Sequence, residues 1–194
     1  SFESKDDIRN IAIKNGLIVA NKPDSQEICF IPDNDYSNFL KENVNDIESK
    51  NCIKPGNIVD ISGNVRGQHK GLINYTIGQR KGLGISYKAP LFVLGFNPLK
   101  NEVIVGEESE LYKKELIVKD INLLLVDKIE KELDVDVKTR YSSKMAKAKI
   151  NQESDDIIKV VFDEPQRAIT RGQSVVFYDE DGVVLGGGKI TSEK

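Results

Sequence analysis

Val135-Asp136-Val137-Lys138-Thr139-Arg140-Tyr141, followed after a four-residue gap by Ala146-Lys147-Ala148-Lys149-Ile150-Asn151, decides the fold. Lys138 and Arg140 alternate with Val137 and Thr139. Lys147 and Lys149 alternate with Ala146, Ala148 and Ile150. A period of two is the signature of a strand with one face buried and one face wet. Further runs surround this pair: Leu116 to Asp120, Asn122 to Val126, Ile157 to Phe162, Ser174 to Tyr178 and Val183 to Ile190, with Asp181-Gly182 as a hairpin turn. Short strands at this spacing predict a small closed antiparallel barrel. The texture changes near Glu115, so a domain boundary is expected between Gly106 and Glu115.

Upstream the pattern is mixed. Asp6 to Asn15 reads as a short amphipathic helix with Ile8, Ile11 and Ala12 on one face, stopped by Asn15-Gly16. Leu17 to Ala20 reads as extended, and Tyr36 to Glu42 as a helix with Tyr36, Phe39 and Leu40 turned inward. Pro55-Gly56 marks a turn, Ile58 to Ile61 a strand, and Gly63-Asn64 the hairpin turn after it. Leu91 to Phe96 and Val103 to Val105 form a hairpin about Asn97-Pro98. The fold class is therefore mainly β with a few helices (α+β): a small central mixed α/β domain, then a C-terminal antiparallel β-barrel.

Composition narrows the function classes. The chain has 194 residues, 39% hydrophobic and 30% charged, with a net charge of −3. No apolar run approaches the roughly 20 residues of a membrane helix, and the N-terminus has no signal-peptide core. A cytoplasmic protein without a membrane partner, monomeric, is the expectation. Charge is unevenly spread. Ile61 to Asn101 holds Arg66, Lys70, Arg80, Lys81, Lys88 and Lys100 without one acid, and Val137 to Gln152 repeats that pattern. Two such tracts make one positive face for phosphate, or else they are lysines alternating into solvent. Within the first tract, Gly67-Gln68-His69-Lys70-Gly71-Leu72 and Tyr75-Thr76-Ile77-Gly78-Gln79-Arg80-Lys81-Gly82-Leu83-Gly84 match neither a P-loop nor a dinucleotide fingerprint. Their glycines permit close backbone approach and leave amides for phosphate, with Arg80 and Lys81 as candidate contacts. His69, the one histidine, has no neighbouring carboxylate or cysteine in sequence and reads as a turn-stabilising group.

The cysteines carry the chemical question. Cys29 and Cys52 are too few for a disulfide framework and lack CxxC zinc spacing, so no metal is expected. Cys29 lies in Lys22-Pro23-Asp24-Ser25-Gln26-Glu27-Ile28-Cys29-Phe30-Ile31-Pro32, an apolar run entered from a polar turn. It is either a small buried hydrophobe or a thiol with an open approach side. Cys52 reads as incidental.

These segments together resemble the bacterial tRNA-specific 2-thiouridylase family. The resemblance rests on Lys22 to Ile31, Gly67 to Leu72, Tyr75 to Gly84, Lys138-Thr139-Arg140-Tyr141, Phe162-Asp163-Glu164-Pro165-Gln166-Arg167-Ala168, Gly172 to Tyr178, and Leu185-Gly186-Gly187-Gly188, in the family's order and over nearly the whole chain. It implies a tRNA-uridine 2-sulfurtransferase making 2-thiouridine at the wobble position. It implies ATP, with Mg, held by an N-terminal ATP-pyrophosphatase domain whose Ser-Gly-Gly-x-Asp-Ser loop and first catalytic cysteine do not occur here, so no cofactor is expected in this chain and the chain alone is expected to be inactive. By resemblance Cys29 is the second cysteine. It carries a persulfide sulfur, and a transient disulfide with the first cysteine resolves the intermediate. The implied tRNA contacts fall on Arg140, Tyr141 and Gln173. The implied partners are the anticodon region of lysine-, glutamate- and glutamine-type tRNAs and a sulfur-relay protein or cysteine desulfurase. The domains read as 1–20, the end of the ATP-pyrophosphatase domain; 21–110, the central domain; and 111–194, the barrel. The chain departs from the family at Arg171, where proline is usual, and at Ser142-Ser143-Lys144, which is less basic. The competing reading is a non-catalytic RNA-binding barrel with a structural Cys29.

Overall fold

The computed structural model describes residues 4–22, 31, 35–43 and 47–191. It divides into two compact units, Ser1–Val44 and Asn45–Lys194.

In the first unit, helix α1 spans Lys5–Lys14. Ser4 and Asp7 cap it reciprocally: the Asp7 N–H donates to Ser4 Oγ at 3.2 Å, and the Ser4 N–H donates to Asp7 Oδ2 at 3.0 Å. The expected extended run at Leu17 to Ala20 is instead a chain of turns, in which the Ala20 N–H donates to the Leu17 carbonyl and the Lys22 N–H to that of Val19. Short-range carbonyls supply what a strand partner would have supplied. Helix α2 spans Tyr36–Asn43. Tyr36 and Leu40, expected inward, are exposed, and Phe39 is half-buried. Cys29 lies outside the described residues; Ile31, two positions further along the sequence, is buried.

In the second unit, helix α3 (Ile47–Cys52) precedes a four-stranded sheet of order β2-β1-β4-β3. Its strands are β1 (Gly56–Asp60), β2 (Val65–His69), β3 (Phe92–Asn97) and β4 (Glu102–Gly106). The sheet is mixed: β1 runs parallel to β4, and both hairpins are antiparallel. Ile58, Val93, Val103 and Val105 form its core with Leu72, Leu83 and Leu91, and Cys52 packs half-buried against them. Gly67 to His69, read in sequence as part of a loop-like glycine-rich section, forms the end of β2.

A 3-10 turn at Glu108–Leu111 leads into the barrel. Strands β5 (Tyr112–Leu123), β6 (Leu133–Lys138), β7 (Ala146–Ser154), β8 (Ile157–Arg167), β9 (Ser174–Tyr178) and β10 (Val184–Thr191) close in the order β10-β5-β8-β7-β6-β9. Every pairing in it is antiparallel. Val135, Val137, Ala148 and Ile150 point inward, as the alternation requires, beside Ile158, Val160, Phe162, Val175 and Phe177. Leu116 to Asp120 and the first two residues of the expected strand Asn122 to Val126 lie in one strand, β5, which ends at Leu123. Asp120 takes a left-handed φ of 52°, and its N–H donates to Asp156 Oδ1 at 3.1 Å. The strand therefore kinks through a bulge instead of ending. Gly188 faces that bulge. A Cβ there would stand 2.5 Å from Val118 Cγ1 and 2.6 Å from the Lys119 carbonyl oxygen, so the close approach of β10 to β5 needs glycine.

Candidate nucleic-acid interface

The strand that carries Lys138 stops there, so Thr139, Arg140 and Tyr141 lie in the β6–β7 loop and not on the strand as the alternation suggests. Serine chemistry ends it: the Arg140 N–H donates to Ser143 Oγ (3.3 Å), and the Ser143 hydroxyl donates back to the Arg140 carbonyl (2.9 Å). Local side-chain bonds of this kind compete with the ladder. Lys138 Nζ donates to the Tyr141 carbonyl at 3.4 Å. Tyr141 is left 99% exposed, outside the barrel.

Arg140 is spoken for by the protein. Its Nη2 donates to the Ala168 carbonyl and to Thr170 Oγ1 (2.8 Å), and the Thr170 hydroxyl donates to the same carbonyl at 3.0 Å. The β6–β7 loop is thereby clamped to the β8–β9 turn. That turn continues through Gly172 (φ 78°) to Gln173, whose carbonyl accepts from Ile190 N–H at 2.9 Å while its side chain stays exposed.

Arg80 and Lys81 lie in a turn held to the sheet. Gln79 closes their turn: its Oε1 accepts the Thr76 N–H at 3.0 Å, and its Nε2 donates to the Lys81 carbonyl at 3.0 Å. Two backbone bonds anchor the turn to β3, Gly78 N–H to the Val93 carbonyl and Val93 N–H to the Gln79 carbonyl. Gly78 lies against the barrel, where an added Cβ would stand 3.2 Å from Ala168 Cβ. Ala168 is the pivot. It is 3% exposed, has a left-handed φ of 55°, donates its N–H to the Leu111 carbonyl and packs with Phe92 and Leu111. A non-glycine residue in that region is held there by its surroundings.

The structure thus brings the Arg140 guanidinium and Gly78, which opens the Arg80–Lys81 turn, against one buried residue, while Tyr141 and Gln173 lie next along the chain from Arg140 and from the Ala168–Thr170 segment. Cys29 is not among the residues it places. Sequence reading missed Ala168 and Thr170. The segment Phe162 to Ala168 stood out only as part of the family pattern, and nothing in an Ala-Ile-Thr string announces a left-handed alanine.

The two acid-free tracts do not form one bare positive face. Asp136 sits opposite Lys147, and Asp134 opposite Lys149, on paired strands. Lys147 Nζ lies 2.8 Å from Asp136, and Lys149 Nζ lies 3.2 Å from both Glu132 and Asp134. A hydrogen bond to Asp136 raises the Lys147 ammonium above its ordinary range, and bonds to Glu132 and Asp134 do the same for Lys149. Arg66 pairs with Asp60 and lies 5.1 Å over the Tyr87 ring. Strand pairing brings in acids that are distant in sequence. Among the described residues Arg80, Lys81, Lys144 and Arg171 enter no ion pair.

His69 is 1% exposed and internal. Its Nδ1 accepts the Gly71 N–H at 3.0 Å, so Nε2 carries the proton and donates to the Asn101 carbonyl at 3.0 Å. The turn-stabilising reading holds. A Cβ on Gly56 would stand 2.7 Å from that Nε2.

Residues 113–190 match a family described as "Aminomethyltransferase beta-barrel domain", residues 37–107 one described as "tRNA methyl transferase PRC-barrel domain", and residues 2–33 one described as "tRNA methyl transferase HUP domain". The chain is 53% identical over 186 residues to the tRNA-specific 2-thiouridylase MnmA of Clostridioides difficile, covering 96% of this chain and 50% of that protein. The chain belongs to the tRNA-specific 2-thiouridylase (MnmA/TrmU) family. A thiouridylase of Clostridium botulinum is 54% identical over 187 residues, 96% of this chain and 50% of its own, and one of Clostridium perfringens is 50% identical over 189 residues, 97% and 51%. The chain spans about half the length of these thiouridylases.

Against the thiouridylase family pattern, Arg171 occupies the second place of the Thr170–Gln173 turn, before the left-handed Gly172, the place that proline favours in turns of this kind. Nucleoside triphosphate chemistry finds no fit among the described residues. The glycines between Gly67 and Gly84 open onto a 3-10 turn and strands, not onto an α-helix N-terminus, and no cluster of three metal-ligating side chains exists among the described residues. No helix among the described residues is long and apolar enough to cross a membrane.

Proposed function

We propose that this chain is the RNA-holding and sulfur-carrying part of a tRNA-uridine 2-sulfurtransferase that makes 2-thiouridine at the wobble position. The observation that carries the reading is the identity of about half the residues to named tRNA-specific 2-thiouridylases along 96% of the chain. In this proposal residues 21–110 form the central domain and 111–194 the tRNA-binding barrel. Residues 1–20 end an ATP-binding domain that supplies activation of the uridine, and no step is assigned to ATP within this chain.

Cys29 is the sulfur carrier. Its thiolate takes a sulfane sulfur from a donor persulfide, releasing the donor thiol, and holds it as Cys29–S–SH beside the nucleotide. Tyr141, Gln173, Arg80 and Lys81 meet the RNA, and Arg140 belongs to the same surface. An exposed tyrosine on a fixed loop suits stacking on an unpaired base, and unpaired cations suit phosphate. The partners are tRNA, at its anticodon region, and a sulfur-donor protein. The setting is the cytoplasm.

The experiment is persulfide loading of the chain followed by peptide mass spectrometry. Sulfane sulfur on Cys29 and little on Cys52 is expected. Cys52 packs half-buried against the sheet core, which limits its reaction. Equal labelling of both thiols, or none on Cys29, leaves only the reading of a non-catalytic RNA-binding barrel.

A further inference from the structure

A groove in the second unit opens between the β6–β7 loop and the end of β8. Its volume is about 610 Å³, within the range of sites that take small organic groups. Arg140, Ser142, Lys144, Asp163, Glu164 and Arg167 supply its polar wall. Tyr141, outward and exposed, stands between two of these residues in the chain.

Two of these charges are already used. Arg140 holds Ala168 and Thr170. Arg167 has its Nε 3.4 Å from Glu108 and its guanidinium 5.6 Å from the Phe92 ring centre. Asp163 contributes to the field on Lys147, after Asp136 and Glu180. Lys144 and Glu164 enter no side-chain hydrogen bond or ion pair among the described residues. Asp163 likewise makes no hydrogen bond or ion pair among the described residues, so the groove offers one uncommitted cation and two carboxylates, of which Glu164 is the one that does not act on Lys147.

A channel for RNA backbone has no use for an uncommitted carboxylate, since it repels phosphate. A base edge does. A carboxylate accepts two hydrogen bonds side by side, and it donates none. Among the four RNA bases guanine alone presents two adjacent N–H donors, N1–H and N2–H, on its Watson–Crick edge. Adenine and cytosine offer an amino group next to an acceptor, and uracil an imino group between two acceptors. Unpaired bases are read on this edge.

We propose that this groove is a base-reading subsite that takes one unpaired guanine of the RNA, with Glu164 accepting from N1–H and N2–H. Lys144 holds the phosphate of that nucleotide, and Tyr141 stacks on a base beside it. The inference rests on the proposed RNA-binding role and adds what the surface discriminates.

The test uses the 194-residue chain and a stem-loop RNA whose single-stranded loop contains one guanosine, with inosine or uridine as replacements. Inosine lacks only the N2 amino group. The wild-type chain is expected to bind the guanosine loop about tenfold more tightly than the inosine loop, the size of one good bidentate contact. Glu164→Gln is expected to weaken the guanosine complex and to erase that preference. Lys144→Ala is expected to weaken all three loops equally. The sign is decisive, because deleting a negative charge beside RNA strengthens binding unless the carboxylate makes a specific contact. Guanosine affinity that rises or stays level in Glu164→Gln, or no inosine discrimination by the wild type, overturns the subsite and leaves the RNA-binding role standing. Binding of none of the loops by the wild-type chain overturns both. Circular dichroism of Glu164→Gln, expected to be unchanged because the side chain is exposed, separates loss of contact from loss of fold.

Discussion

Removing the Arg140 guanidinium separates two roles that its sequence position merges. As a phosphate contact it would lend charge to RNA. As a clamp it ties the Tyr141 loop to the Gln173 turn through Ala168 and Thr170. A hydrogen bond from a charged donor contributes about 1.5–3 kcal/mol. Both bonds here are only partly buried, and the Ala168 carbonyl keeps its bond from the Thr170 hydroxyl at 3.0 Å. Arg140→Ala should therefore destabilise the sheet-and-barrel unit by about 1.5 kcal/mol, near the lower end of that range. The melting temperature should fall by roughly 3–6 °C for a chain of this size. Thr170→Val removes, at nearly constant volume, the hydroxyl that accepts from Arg140 and donates to the Ala168 carbonyl. The double variant should show a coupling energy of about 0.5–1 kcal/mol in urea titrations followed by circular dichroism. RNA affinity should drop because Tyr141 and Gln173 lose their fixed spacing. The slope of log affinity against log salt should stay level, whereas a lost phosphate contact would shift it by roughly 0.7–0.9. A slope change of that size together with unaltered stability would refute the clamp.

Two further outcomes are expected. His69→Leu strands the Gly71 N–H and the Asn101 carbonyl in a buried place, so it should cost about 3 kcal/mol in urea unfolding, while native-state RNA affinity stays within about twofold; a loss below about 1 kcal/mol would contradict the hydrogen-bond assignment. Asp60 supplies a pH signature. Desolvation would push its carboxyl up, but bonds from the Asn64 side chain and backbone and from Arg66 outweigh it and hold the group at about 2. Its folded value lies below its unfolded one of about 3.9. The stability it adds is therefore complete above about pH 4 and disappears as pH falls toward 2. The gap in urea midpoint between wild type and Asp60→Asn should be open at pH 5 and closed near pH 2; a gap independent of pH would remove the ion pair from the account.

The barrel was legible because burial on one face of a strand writes a period of two into the chain. Val135, Val137, Ala148 and Ile150 fill the interior as their spacing requires. The helices α1 and α2, the β3–β4 hairpin and the turn-stabilising hydrogen bond of His69 were readable for similar local reasons, although the burial of His69 was not. Register and long-range partners were not. Sequence alternation could not say that Asp134 and Asp136 would sit opposite Lys149 and Lys147, which turned a run of free-looking cations into ion pairs. It divided β5 in two because a bulge at Asp120 looks like a stop when the partner strand is unseen.

The amino-acid sequence by itself determined the strand-rich class, the position of the barrel, the cysteine that bears the chemical proposal and the family. Those properties are local or are carried by residue identity. The tertiary structure decided which charged groups remain available, that Arg140 grips Ala168 and Thr170 across 28 and 30 residues of chain, and that Gly78 reaches the same left-handed alanine from the sheet. Such choices depend on backbone carbonyls and strand pairing brought together only by closure of the barrel, and no string of side chains records where a distant carbonyl will point.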